Sequence, residues 1–365
     1  MKIAYIVNRV DGPGGLERVL SIKASMLAEK YNHEVHFITL NQQENTNFFY
    51  EFSSKIKYHN ISAPNNPLLR IQKYVQGIKK WVSELQPDVI AVCDDGLKGF
   101  FVPFILDKKY PIIYERHVSK NVEKQGKRSL IKKIKTSITF KLMEIGGKEF
   151  DKFIVLTKGN LEEWKLNNLK VIPNPLSFYP ETPSTLQNKK VIAVGKQCFQ
   201  KGYDRLLPAW KNVVSKHPDW KLEIYGTIDE KQGLSKLASD LNIEDNVFFY
   251  PPIKNIGDKY QQASIYTMSS RYEGFGMVLT EAMAYGVPCI SFDCPYGPSD
   301  IISDGEDGFI ISNGNIEELS HKINHLIEHS YKRIEMGSKA RVAVQRYLPE
   351  KILEEWNTLF TNLAN

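Results

Sequence analysis

Residues Arg271–Gly286 read RYEGFGMVLTEAMAYG. The apolar run Ile265–Met268 leads in as a strand, Gly274-Phe275-Gly276 makes a turn, and Val278–Tyr285 has helical character. Strand, glycine turn and helix in that order form the repeating unit of an α/β fold. A turn without Cβ atoms does not block a ligand. It aims backbone N–H groups and the positive end of a helix at an anion. Two glutamates, Glu273 and Glu281, bracket it.

The same unit recurs outward in both directions. Lys2–Val7 is a buried strand, Asp11–Gly15 a glycine turn, and the following helix carries Leu16, Val19, Leu20, Met26 and Leu27 on one stripe. Strands follow at His33–Leu40, Asp88–Cys93, Ile112–Tyr114, Lys152–Thr157 and Lys170–Ile172, with a helix at Tyr74–Leu85. These runs lack period-two alternation, as in parallel strands covered on both faces. Residues 178–190 turn polar and hold Pro180 and Pro183, which reads as a linker. A second series then begins, with strands at Val191–Val194, Lys221–Tyr225, Val247–Tyr250 and Pro288–Phe292. The expected domains are 1–178 and 179–345, both doubly wound. Segment 346–365 forms a helix whose face of Ile352, Trp356, Leu359, Phe360 and Leu363 docks on the first domain.

Ligands of open parallel sheets lie outside the carboxyl ends of the strands. The loops there are Gly12–Gly15, Glu115–His117, Gly195–Gly202, Gly226, Tyr250–Lys254 with Ile253, and Tyr272–Glu281. They are expected to converge on one interdomain cleft. A diphosphate needs cations and N–H donors, which Lys196, Lys201 and the backbone of Gly274, Phe275, Gly276, Met277 and Val278 supply. The dinucleotide fingerprint fails, because its third glycine falls on Glu17.

The chain has 365 residues, 42% hydrophobic and 25% charged, which excludes disorder and allows two domains. No apolar stretch spans a membrane, and the N-terminal run is too short for a secretory signal. Cys93, Cys198, Cys289 and Cys294 are dispersed, which suits a reducing cytoplasm and gives no metal site. The net charge of +6 is local: Arg116–Lys148 holds ten basic residues against Glu123 and Glu144. Within this segment Ile131, Ile134, Ile138, Leu142 and Ile145 form a helical stripe, expected to be buried. For the cationic face of 120–148, plain solvation, an acceptor phosphate and peripheral contact with an anionic membrane at its inner face all stay open. Nucleic acid is not expected, for want of aromatic interleaving.

These residues resemble the retaining GT-B glycosyltransferases of family 4. Glu273 and Glu281 match that family's E-x7-E pair, and Ala282–Pro288 its Ala-Met-Ala-x-Gly-x-Pro. Gly14-Gly15-Leu16-Glu17-Arg18 resembles its N-terminal glycine loop, and Val194-Gly195 with Lys201-Gly202 its basic diphosphate loop. Pro173-Asn174-Pro175, Gly297-Pro298 and Asp304-Gly305 are further signposts.

The resemblance implies two Rossmann-like domains facing a cleft. It also implies transfer of a sugar, with retained configuration, from a nucleotide sugar, a UDP-sugar first, to a saccharide or lipid-linked saccharide. It assigns ribose to Glu281, the donor sugar to Glu273 and His117, and the diphosphate to Lys196 and Lys201. No other cofactor is implied. Val118 follows His117 where the family has aspartate, and Lys196 stands where arginine is common, so the bidentate fork is lost. No Asp-x-Asp pair occurs, so a divalent metal holding the phosphates is not expected. Alternative readings are a UDP-sugar epimerase of the same fold and a catalytically silent nucleotide-sugar-binding subunit. A paired-carboxylate hydrolase fits less well, because Glu281 is committed to a helix start.

Overall fold

Seven short strands build the first sheet: β1 (Lys2–Ile6), β2 (Glu34–Leu40), β3 (Lys57–Ile61), β4 (Val89–Val92), β5 (Ile112–Glu115), β6 (Lys152–Val155) and β7 (Leu169–Val171). In this computed structural model, which describes residues 1–42, 47–120 and 130–365, they pair in the order β3-β2-β1-β4-β5-β6-β7. Every pair is parallel. Helices α1 (Gly15–Glu29), α2 (Pro67–Leu85), α3 (Val102–Ile105) and α4 (Leu130–Gly147) connect them.

The second sheet holds β8 (Lys190–Val194), β9 (Lys221–Tyr225), β10 (Val247–Tyr250), β11 (Ile265–Met268), β12 (Cys289–Asp293) and β13 (Gly308–Ser312). Their order is β10-β9-β8-β11-β12-β13, again all parallel. Around it lie α5 (Tyr203–Val214), α6 (Leu234–Asp240), α7 (Gly257–Gln262), α8 (Met277–Ala284), α9 (Pro298–Ile301), α10 (Ile316–Glu328) and α11 (Ser330–Ala343). The chain then returns as α12 (Pro349–Ala364) to pack on α1 and β4. The two units are Met1–Pro175 with Pro349–Asn365, and Leu176–Leu348.

Each sheet buries both faces. In the first, Ala4, Ile6, Ile38, Ile90, Val92 and Tyr114 face Tyr74, Ile78 and Val82 of α2 and Met143 of α4. In the second, Val191, Leu222 and Ile290 pack with Trp210 of α5 and Ile323 of α10. With both faces closed, polar chemistry is left to the strand ends.

Several expectations need correction. β3 has no apolar run to announce it, because KYHNI is an edge strand that is largely solvated. β13, Gly308–Ser312, is a strand the sequence reading did not include. α2 starts at Pro67 rather than Tyr74: the Asn66 side chain accepts from Leu68 N and Leu69 N, and proline sits in the first turn. Residues 178–190 are not a loose linker. Ser184 N donates to Tyr285 O at 2.8 Å, Leu186 is buried, and Arg341 Nη1 and Nη2 donate to Ala284 O and Pro180 O. The unit boundary falls at Pro175, since Leu176 N already donates to Tyr347 O (2.7 Å).

The isoleucine stripe of α4 is exposed, against expectation: Ile131 is 80% accessible, Ile134 54%, Ile138 53% and Ile145 52%. The helix approaches the sheet with its other side instead. Gly146 lies so near Phe100 that a Cβ there would stand 2.4 Å from its carbonyl oxygen. Glycine allows the closer approach, and the branched side chains are turned outward. Of the basic segment, residues 121–129, with Lys124, Lys127 and Arg128, lie outside the described residues.

Gly146→Ala is therefore expected to lower stability by about 1–3 kcal/mol through overpacking against backbone. Ile138→Ser is expected to stay within about 0.5 kcal/mol of the parent in urea unfolding. A large loss for Ile138→Ser would restore the buried stripe.

Candidate functional site

In the second unit the loops after β8, β9, β10, β11 and β12 all leave the carboxyl ends of parallel strands. Gly195 (φ +155°) and Gly226 (φ +153°) follow β8 and β9 directly. A Cβ on Gly226 would stand 2.1 Å from Gly195 O, so these strand ends meet backbone to backbone. Lys196 is exposed beside them, and Ile253 is half-buried in the loop after β10. The Tyr225 and Tyr250 rings stack with centroids 4.8 Å apart.

After β11 the chain turns through Gly274-Phe275-Gly276 into α8. Gly276 is the N-cap at φ +100°, with no side chain capping the N–H groups of Met277 and Val278. That leaves a short helix start of positive potential. Phe275 points into the core against Tyr347 (5.4 Å), so it offers a ligand only backbone.

Glu273 and Lys201 meet here. Lys201 Nζ donates to Glu273 Oε1 at 2.8 Å, and Ser270 Oγ donates to the same oxygen at 2.6 Å. Burial pulls the Lys201 ammonium down, but the carboxylate outweighs it and holds the ammonium above its ordinary range. The sequence treated Lys201 as a cation for phosphate and Glu273 as a separate sugar ligand. The structure couples them into one ion pair, leaving the exposed Lys196 and the α8 start as positive potential. Glu281 is 2% exposed in the middle of α8, not at its start. Ser177 Oγ donates to its Oε1 at 2.8 Å and Tyr260 O–H to its Oε2 at 3.1 Å. Ser177, Tyr260 and Ser270 were missed, because a hydroxyl contributed from a distant segment leaves no motif.

In the first unit, Gly14 caps α1 and Gly15 opens it. The Glu17 carboxylate folds back over this glycine loop, 2.3 Å from where a Gly14 Cβ would be. Burial pushes its carboxyl up.

His117, after β5, donates from Nε2 to Glu115 Oε2 at 3.2 Å, and its Nδ1 is buried with no partner among the described residues. Glu115 also accepts from Lys23, and both are fully buried. Burial pushes the Glu115 carboxyl up, but Lys23 and His117 hold it below the usual carboxylate range. The Lys23 ammonium lies 4.0 Å from the Trp356 ring of α12. Lys23 left one signal: it interrupts the α1 stripe between Leu20 and Leu27. Cys93, Glu115 and His117 also bring one potential ligand atom each within 4.8 Å, a grouping the scattered cysteines did not suggest. The ammonium of Lys23 already supplies the positive charge a cation would bring.

Removing one partner of such a pair strands a buried charge. Lys23→Met should cost about 3–5 kcal/mol, and Lys23→Met with Glu115→Leu should recover most of it in urea unfolding. In the parent, the depressed Glu115 pKa contributes stability above its unfolded value near 4.3, lost as pH falls below that. With Lys23→Met alone the carboxyl is pushed up instead, so stability should fall as pH rises. A parent-like pH slope in that variant counts against the pair.

Known proteins agree with this architecture. Residues 180–343 match the family "Glycosyl transferases group 1". An uncharacterised glycosyltransferase of Haemophilus influenzae is 31% identical, the match covering 97% of this chain and 98% of that one. The amylovoran biosynthesis glycosyltransferase AmsD of Erwinia amylovora is 28% identical, with 98% and 99% covered. Anabaena HepE, solved in complex with UDP-glucose, superposes with TM-score 0.79 at 19% identity and covers 100% of both chains, which shows a shared GT-B fold. On the full-length match and the family match of its second unit together, the chain belongs to the group 1 glycosyl transferases.

Proposed function

We propose that the protein is a retaining, metal-independent glycosyltransferase that moves a sugar from a UDP-sugar to a saccharide or lipid-linked saccharide in surface-polysaccharide assembly. The observation carrying this is the cluster at the carboxyl end of the second sheet. There Glu273, the uncapped start of α8 and Glu281 lie on consecutive stretches of one loop and helix, and Lys201 reaches Glu273 from the loop after β8. The leaving group is a nucleoside diphosphate. Lys196 and the α8 N–H groups stabilise its charge as the glycosidic bond breaks, which is preorganised electrostatics. Glu281, held by Ser177 and Tyr260, presents its carboxylate to the vicinal ribose hydroxyls. Glu273, fixed by Lys201 and Ser270, accepts from hydroxyls of the donor sugar. The donor brings its own leaving group, so no further cofactor enters.

Support for UDP comes from the HepE complex with UDP-glucose, and for polysaccharide assembly from AmsD, a glycosyltransferase of amylovoran biosynthesis.

Glu281→Ala should lose UDP affinity by about tenfold to a hundredfold, as expected for losing charge-assisted hydrogen bonds, while the fold survives. Calorimetric titration with UDP and GDP reads this, and unchanged binding of both would remove the ribose assignment. Retention is read from the anomeric signal of the product by NMR, where an inverted linkage would refute it. A thermal-shift panel of nucleotide sugars identifies the donor, since a ligand at a hundred times its Kd adds about 2.7 kcal/mol.

A further inference from the structure

The connection between β2 and β3, residues 41–56, forms neither helix nor strand where it is described. A connection of this length without elements of its own is uncommon in a compact domain unless it serves binding. It is nevertheless fixed along α1. Phe49 N donates to Asp11 O at 3.2 Å, Tyr50 O–H to Pro13 O at 3.0 Å, and Ser53 N to Ser25 Oγ at 2.8 Å. The Arg18 guanidinium stands 4.8 Å from the centre of the Tyr50 ring.

The second half of this connection and the start of β3 line a pocket of about 490 Å³, a size usual for small-molecule sites. Its floor is aromatic. The Phe48 ring lies 5.2 Å from Tyr58 and 5.5 Å from Phe52, and Tyr58, stacked on Phe37 at 5.7 Å, keeps 38% of its surface exposed. The rim is polar: Glu51 and Ser54 are exposed, and among the described residues neither side chain has a partner. No lysine, arginine or histidine lines the pocket, and the nearby Lys55 and Lys57 are paired with Glu29 and Glu34.

That lining selects its ligand by charge. An anion would meet an unmatched carboxylate, and a wholly apolar molecule would desolvate Glu51 without giving it a partner. A neutral molecule with one apolar face and hydroxyls at its edge satisfies both conditions. A pyranose ring is built this way: its C–H face suits the negative faces of aromatic rings, and its vicinal hydroxyls donate to a carboxylate.

We propose that this pocket is a saccharide-binding site of the first unit. Phe48, Phe52 and Tyr58 take the face of a neutral hexopyranose, and Glu51 and Ser54 take its hydroxyls. The pocket stands at the β3 edge of the sheet, while His117 follows β5, beyond β2, β1 and β4 in the strand order. If the function proposed above holds, the pocket grips a sugar unit of the acceptor away from the hydroxyl that is extended. The binding itself does not rest on that reading.

The full chain, without nucleotide, is titrated with cellotetraose, maltotetraose and a β-linked galactotetraose, and with tetragalacturonate as the charged counterpart, using saturation-transfer-difference NMR. At least one neutral tetrasaccharide should receive saturation at its ring C–H protons, and tetragalacturonate should bind about fivefold more weakly than that one. Tyr58→Leu should weaken the neutral ligand about tenfold. Glu51→Gln should weaken it about fivefold and narrow the gap to the uronate, a change of preference that damage to the fold does not produce. Glu51 is solvated, so its substitution should leave the thermal midpoint in place. Saturation of none of the neutral tetrasaccharides overturns the proposal, as does a uronate bound as tightly as they are. Absent saturation together with a lowered midpoint in Tyr58→Leu would assign the rings to packing of the first unit alone. No donor is used, so failure here leaves the transferase reading standing, and a failed transfer assay leaves this site standing.

Discussion

Parallel pairing with helices on both faces is the constraint on which the rest depends. Such a sheet has little solvated face, so its inner strands hold mainly side chains that tolerate full burial. Ile3, Ala4, Val35, Val89, Ile90 and Ile113 are each completely inaccessible. Charged and hydroxylated groups are driven to the strand ends, and within each unit the connections at the carboxyl ends gather them. Glu115, His117, Gly195, Gly226 and Glu273 all stand within a few residues of such an end. The polar cluster of each unit is thus a product of topology before it is a product of sequence.

Burying carboxylates at those ends carries a desolvation cost, and each one is offset differently. Glu115 is matched by an ammonium, Glu273 by an ammonium and a hydroxyl, and Glu281 by hydroxyls from two separate segments. The first arrangement is sealed. The other two hold a carboxylate in a fixed orientation through side-chain hydrogen bonds.

Much of this was legible in the chain. Strand, glycine turn and helix could be read at Ile265–Tyr285 because apolar run, glycine and helical character change abruptly there. The same abruptness located β1, β8, β9 and β11. β3 was not legible, since an edge strand need not be apolar on both sides, and β13 was not read although Phe309 and Ile311 are buried. Glu273, Lys201 and Glu281 stood out by spacing, but their partnerships did not. The Lys201–Glu273 pair joins segments 72 residues apart, and Ser177 reaches Glu281 across 104. The α4 stripe misled because periodicity reports that a helix has two faces, not which one meets the sheet. Gly146 and Gly147 decided that, and small residues are a weaker signal than isoleucines.

The last helix has a consequence in time. During synthesis α1, with Lys23, emerges early, whereas α12, which carries Trp356 and covers that lysine, comes after the whole of the second unit. A ribosome must therefore deliver both sheets before the first one can be closed. Until then the nascent first sheet has one face incompletely covered, and a chain released before its final 16-residue helix leaves the exit tunnel lacks the cover of its earliest core. The first unit to be made is the last to be finished.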